Sequence, residues 1–228
     1  MFNTICVLDF ETTGFDPEHE FVTEIGVARL RDGKITSRFE TLVNFGGTVS
    51  AKITELTGIT TEACQRGKEP RNAFAQLKHF IGTDTIVCHN AAFDIAFLNR
   101  SYQRYGATTA LTNPFLCTAL LAQQYAVGRE IPPANVKLET LCAYFDIRRD
   151  EAHRAMSDVL DTAKVLEQLF YYAEGHHEGW ADAAEPFIAA HLVNRYPAPY
   201  HGGRQSPTMR WLPDYAKAFD AKEAWPNA

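Results

Sequence analysis

The chain has 228 residues, 46% hydrophobic and 22% charged, enough for one generous domain or for one domain with an appendage. The net charge of −6, from 22 basic and 28 acidic residues, argues against a protein that wraps a long duplex, because a basic surface supplies most of that affinity. No apolar run approaches the roughly 18 residues of a membrane span, and the start MFNTICVLDF has no basic leader, so neither membrane insertion nor a signal peptide is expected and a cytoplasmic location is. Five cysteines, at positions 6, 64, 88, 117 and 142, never take a CxxC spacing, which predicts reduced core thiols rather than disulfides or a zinc site.

In chain order, residues 4–9 read as a strand that runs into VLDFETTG, residues 7–14. Side chains alternate across a strand, so Asp9 and Glu11 share one face and Phe10 takes the other. Two poorly solvated carboxylates about 4 Å apart repel by roughly 4 kcal/mol at an effective dielectric of about 20. The compensation must be a buried Lys or Arg, a shared proton, or a metal ion. RDGK then reads as a hairpin turn between two extended runs, with the third strand near 38–45, so the first three strands are expected to be antiparallel.

SAKITELTGIT predicts a short helix ending near Gly58, and apolar positions 73, 74, 77, 80 and 81 predict a helix between Pro70 and Gly82. TIVCHN reads as a buried strand, followed by a helix from AAFDIAFLNR that Gly106 ends. Further helices are expected at 116–126, 137–145 and 154–174. Strands first, then alternating helix and strand, indicate an α/β fold with a mixed sheet flanked by helices. Residues 1–174 form this domain. Residues 175–228 hold six of the eleven prolines and all three tryptophans, and read as an appendage without an independent core.

Asp94 falls in the first turn of its helix, where an acid also suits the helix dipole. In the last helix, Val159, Ala163, Leu166 and Phe170 make the core stripe. Asp158 lies at the flank of that stripe and reaches inward, whereas Asp161 is expected to face water. His153 and Asp158 stand about 140° apart on a continuous helix, so both can meet one site only if His153 lies on the preceding loop.

DFETTG, HNAAFD and HRAMSD, in this order and with the HxxxxD spacing intact, resemble the three motifs of the DEDDh exonucleases. That family belongs to the DnaQ-like superfamily, typified by the proofreading epsilon subunit of bacterial DNA polymerase III. The resemblance spans roughly residues 3–174. A sister subfamily carries tyrosine four residues before the last acid, where this chain has Arg154. The resemblance implies a ribonuclease H-like fold and a site of Asp9, Glu11, Asp94, Asp158 and His153. ELTGIT is similar to the segment whose apolar residues, here Leu56 and Ile59, press on the terminal base, although many members have histidine where this chain has Thr57.

On this reading, four hard oxygen donors suit two Mg²⁺ or Mn²⁺ ions, which can hold the attacking and leaving oxygens of a phosphoryl displacement. His153 then serves as general base. Thr12, Thr13 and Gly14 form a turn that can hold the 3′-terminal nucleotide, with Asn90 and Phe93 as further contacts, Phe93 by base stacking. The implied activity is a 3′→5′ exonuclease releasing nucleoside 5′-monophosphates, with a DNA 3′ end favoured over RNA. The alternatives are an RNA-trimming relative and a non-catalytic module that docks a polymerase through residues 175–228.

Overall fold

The computed structural model describes residues 4–106, 113–126, 130–150 and 152–173. The expected appendage, 175–228, lies outside the described residues. Strands β1 (Thr4–Thr12), β2 (Val22–Arg31) and β3 (Lys34–Leu42) pair antiparallel, as the sequence predicts. The β2–β3 turn places Asp32 at φ 49° and Gly33 at φ 75°, the left-handed pair that a two-residue hairpin of matching twist requires. Strands β4 (Thr85–Cys88) and β5 (Phe115–Cys117) add in parallel on the other side, giving the order β3-β2-β1-β4-β5.

Seven helices complete the described residues: α1 (Ala51–Thr57), α2 (Thr61–Gln65), α3 (Pro70–Ile81), α4 (Ala91–Tyr105), α5 (Thr118–Ala126), α6 (Leu138–Tyr144) and α7 (Ala155–Ala173). Helix α3 starts with Pro70 after Glu69, whose side chain accepts from the Asn72 amide, and it ends at Gly82 with φ 57°. The helix expected at 116–126 begins only at Thr118. Phe115–Cys117 extends instead, because Ile86–Cys88 offers it a parallel partner along the whole of its length. None of the described helices is long and apolar enough to cross a membrane. All five cysteines are buried free thiols.

The period of two along β1 sorts its side chains between two cores. Ile5 and Val7 face a cluster with Leu141, Val159 and Leu166 of α6 and α7. Cys6, Leu8 and Phe10 face the opposite cluster, with Phe74 and Leu77 of α3 and Ile95 and Leu98 of α4. Asp9 and Glu11 therefore continue the face covered by α7, at the end of β1 where the core stops.

Two local features bring the other motifs to that end. Gly26, the cross-strand partner of Asp9, lets α7 start directly against β2: a Cβ there would stand 2.6 Å from the Ala155 carbonyl carbon and 2.7 Å from the Met156 nitrogen. Strand β4 pairs with β1 only at Ile5–Val7, so β1 runs past it and exposes its edge from Leu8 onward. The first turn of α4 fills this gap, at the carboxyl ends of the parallel strands where open α/β sheets place their ligands.

Candidate active site

Asp9 and Glu11 meet Asp158 from α7: one carboxylate oxygen from each of the three lies within 4.8 Å of the others. Asp94 stands behind this group, 2% exposed, with its Oδ1 accepting from the Phe10 backbone amide at 3.1 Å. The four acids that the motifs bring together in the sequence thus share one end of β1, three of them as a tight trio and the fourth fastened to the strand edge.

The cluster is electrostatically costly. Burial, with the negative charges of Asp94, Glu11 and Asp158, raises the Asp9 carboxyl well above the usual carboxylate range. Burial and the charges of Asp158 and Glu24 push Glu11 up to about 8, against the opposing charge of Arg154. Asp94 is also raised well above its ordinary value, by burial first, although the Phe10 amide favours its ionised form. Asp158 is raised by burial, while Arg149 and His153 pull the other way. The arginines thus temper one edge of the cluster and leave its centre anionic or protonated. Carboxylate oxygens without thiolate or imidazole among them suit a hard divalent cation, so the residues present fit the metal that the motifs imply.

His153 lies where the 140° argument requires: before the first residue of α7, exposed, at φ 60°. Arg154 beside it forks onto Glu24 of β2, with Nε at 3.1 Å from one oxygen and NH2 at 2.6 Å from the other. Glu24 is 1% exposed and also accepts from the Ala155 amide at 2.9 Å, so this buried acid holds the start of α7.

The exonuclease family model (RNase T) matches residues 6–166. The chain belongs to the exonuclease family. The DnaQ-like DEDD resemblance read from its motifs is borne out. The exonuclease-family chain is 34% identical to the PolC-type DNA polymerase III of Bacillus subtilis (strain 168) over 190 residues, 82% of this chain and 12% of that protein. It spans about a tenth of the length of the curated relatives it matches. Its fold matches E. coli exonuclease I in complex with a dT13 oligonucleotide at a TM-score of 0.64, with 17% identity, covering 75% of this chain and 41% of that one. It matches exonuclease X in complex with 5′ overhanging duplex DNA at 0.59, with 22% identity, covering 78% and 98%. The fold of this exonuclease-family chain is therefore the ribonuclease H-like one expected.

Around the acids, the turn after β1 is closed on itself. Thr12 Oγ1 donates to the Gly14 carbonyl at 2.6 Å, and Thr13 Oγ1 donates to Glu20 and accepts from the Phe21 amide. A Cβ on Gly14 would stand 2.8 Å from the Glu20 carboxyl carbon. Arg104 of α4 secures the far end of this loop through the carbonyls of Pro17, Glu18 and Glu20. Asn90 sits at φ 63° ahead of α4, its Oδ1 buried without a hydrogen-bond partner among the described residues. Leu56 is 48% exposed, whereas Ile59 is 3% exposed and packs with Val49 and Cys64. Thr57 is buried, its hydroxyl donating to the Ile53 carbonyl and accepting from the Ile59 amide.

Three residues that the motif reading passed over stand out here. Phe15, 66% exposed, sets its ring 6.3 Å from that of Phe93 in an edge contact; a large apolar side chain just after the turn glycine is the signal that marks it. His89, whose Nδ1 lies 2.8 Å from Thr118 Oγ1, is lowered to about 4 by burial and by the charge of Arg149. Asp161 does not face water: it is 2% exposed and bonded by Arg149. The helical wheel assumed solvent opposite the sheet, but the segment after α6 covers that side of α7.

Proposed function

We propose that the chain is a metal-dependent 3′→5′ exonuclease that trims single-stranded or frayed DNA ends to nucleoside 5′-monophosphates, in proofreading or repair. The observation that carries this reading is the trio of Asp9, Glu11 and Asp158 within 4.8 Å, at a sheet end where burial and mutual repulsion disfavour the ionised carboxylates. Asp9, Glu11 and Asp158, with Asp94 behind them, would hold two divalent cations, Mg²⁺ or Mn²⁺. Such a pair supplies Lewis-acid stabilisation of the attacking and leaving oxygens.

The chain's own groups supply the rest. His153, exposed and free of the helix, accepts the proton of the attacking water as general base. Phe15 and Phe93, in edge contact, offer an aromatic pair on which a terminal base can stack. Exposed Leu56 is the apolar contact presented by α1, and Ile59 supports the turn beneath it. Thr12, Thr13 and Gly14 contribute a fixed turn against which the terminal nucleotide rests, since both hydroxyl protons are already committed. The Asn90 oxygen, an acceptor without a partner among the described residues, is a further contact. DNA is favoured because the relatives are DNA polymerases by name and the matched structures carry a dT13 oligonucleotide and duplex DNA.

The experiment is digestion of matched 3′-labelled DNA and RNA oligonucleotides with Mg²⁺ or Mn²⁺, wild type beside Asp9→Ala, with products identified. Stepwise release of 5′-mononucleotides from DNA, reversibly stopped by EDTA and absent in Asp9→Ala, is expected. Preferential trimming of the RNA would move the chain to the exoribonuclease reading, and no cleavage of either would favour an interaction module.

A further inference from the structure

Arg149 lies on the segment between α6 and α7 and reaches two carboxylates of α7 at once. Its NH2 group donates to Asp158 Oδ1 at 2.6 Å, and its Nε donates to Asp161 Oδ2 at 2.9 Å. Asp161 belongs to none of the exonuclease motifs and lies outside the acidic trio, yet it is 2% exposed. Its other oxygen, Oδ1, stands 3.4 Å from Lys164 Nζ. The stem-side nitrogen of the guanidinium is thus tied to a buried acid that has no part in the trio. The terminal nitrogen holds one oxygen of an acid that does.

We infer that Arg149 is a positioning residue for the metal centre: it holds the Asp158 carboxylate beside Asp9 and Glu11, with Asp161 as its anchor. The inference rests on the metal reading proposed above. Three carboxylates within 4.8 Å repel one another, and Asp158, on the first turn of α7, would otherwise relieve the crowding by rotating away. The bond from Arg149 opposes that rotation while committing a single oxygen, and the second oxygen remains for an ion. A lysine could not reproduce this, because the link between the two acids depends on the planar fork of donors. Partners that orient metal ligands in this way are typically worth 10–100-fold in metal affinity. A competing arrangement, in which Arg149 merely fills the site until a cation displaces it, predicts the opposite sign.

The test is Mn²⁺ binding to the full chain, followed by electron paramagnetic resonance, for wild type, Arg149→Met, Arg149→Lys and Asp161→Asn, with folding checked by circular dichroism. Affinity is expected to fall about 10–100-fold in Arg149→Met, to fall in Asp161→Asn although Arg149 itself is retained, and to recover partly in Arg149→Lys. Arg149→Met binding Mn²⁺ as tightly as wild type, or more tightly, overturns the inference. Should Arg149→Met fail to fold, Asp161→Asn and Arg149→Lys decide on the same scale: weakened binding supports the role and unchanged binding overturns it. A wild-type chain that binds no Mn²⁺ overturns the metal reading and this inference with it. A wild type that binds while its variants match it overturns only the role of Arg149.

Discussion

Replacing Glu11 with Gln separates the electrostatic cost of the acidic cluster from its use. The Glu11 carboxyl moves from an ordinary 4.5 to about 8 on folding, through burial and through the charges of Asp158 and Glu24. Below pH 4.5 both folded and unfolded chains hold this proton, and no penalty exists. As pH rises from 4.5 towards 8 the unfolded chain ionises first, so the folded state loses stability across that window and levels off above it. At pH 7.5 the window is open by three units, which at 1.36 kcal/mol per unit is about 4 kcal/mol at most. Residual exposure and the neighbouring acids that titrate with Glu11 reduce this to about 2–4 kcal/mol.

Urea unfolding in EDTA, at pH 5 and pH 7.5, reads the effect. Relative to wild type, Glu11→Gln should gain about 2–3 kcal/mol more stability at pH 7.5 than at pH 5, since the wild type already carries part of the penalty at pH 5. Adding Mn²⁺ should reverse the order at pH 7.5, because the wild-type site gains ligand-linked stability that the variant forfeits. An equal difference at both pH values, or a variant less stable at pH 7.5 without metal, would refute the electrostatic account of Glu11.

The pH dependence of metal binding follows from the same shifts. Asp9, Glu11 and Asp94 are all raised, so ions must displace protons; Mn²⁺ affinity should strengthen as pH rises towards 8, with proton release measurable by calorimetry in buffers of different ionisation enthalpy. Gly26→Ala should force α7 off β2, since a methyl there meets the Ala155 carbonyl carbon at 2.6 Å. A cost of about 1–3 kcal/mol is expected in denaturant melts, with a larger proportional loss of nuclease activity because Asp158 moves with the helix. His153→Ala should leave Mn²⁺ affinity within a few-fold of wild type yet slow turnover about 10²–10⁴-fold; unchanged turnover would remove it as general base.

Much of the architecture follows from local rules that operate within a few residues. The alternation at Asp9, Phe10 and Glu11 assigned the two acids to one face, and the Asp32–Gly33 pair set the hairpin. For His153 and Asp158 to share one site, their angular spacing puts His153 ahead of α7, where it lies. What escaped depended on partners distant in sequence. Phe115–Cys117 is a strand only because β4 lies beside it, and Asp161 is buried only because the segment carrying Arg149 folds over α7. The anchoring of Asp94 likewise needed the unequal lengths of β1 and β4, which no periodicity within α4 reveals. Arg149 answers part of the charge problem raised by VLDFETTG, but the acid it bonds is Asp158, not Asp9 or Glu11.

The central claim is that divalent ions occupy the space enclosed by Asp9, Glu11 and Asp158. The most direct measurement is anomalous diffraction from a crystal of the chain soaked in Mn²⁺ near pH 8. Two peaks roughly 3.5–4 Å apart, bounded by these three side chains, are predicted. A well-ordered site without a peak among them would contradict the account.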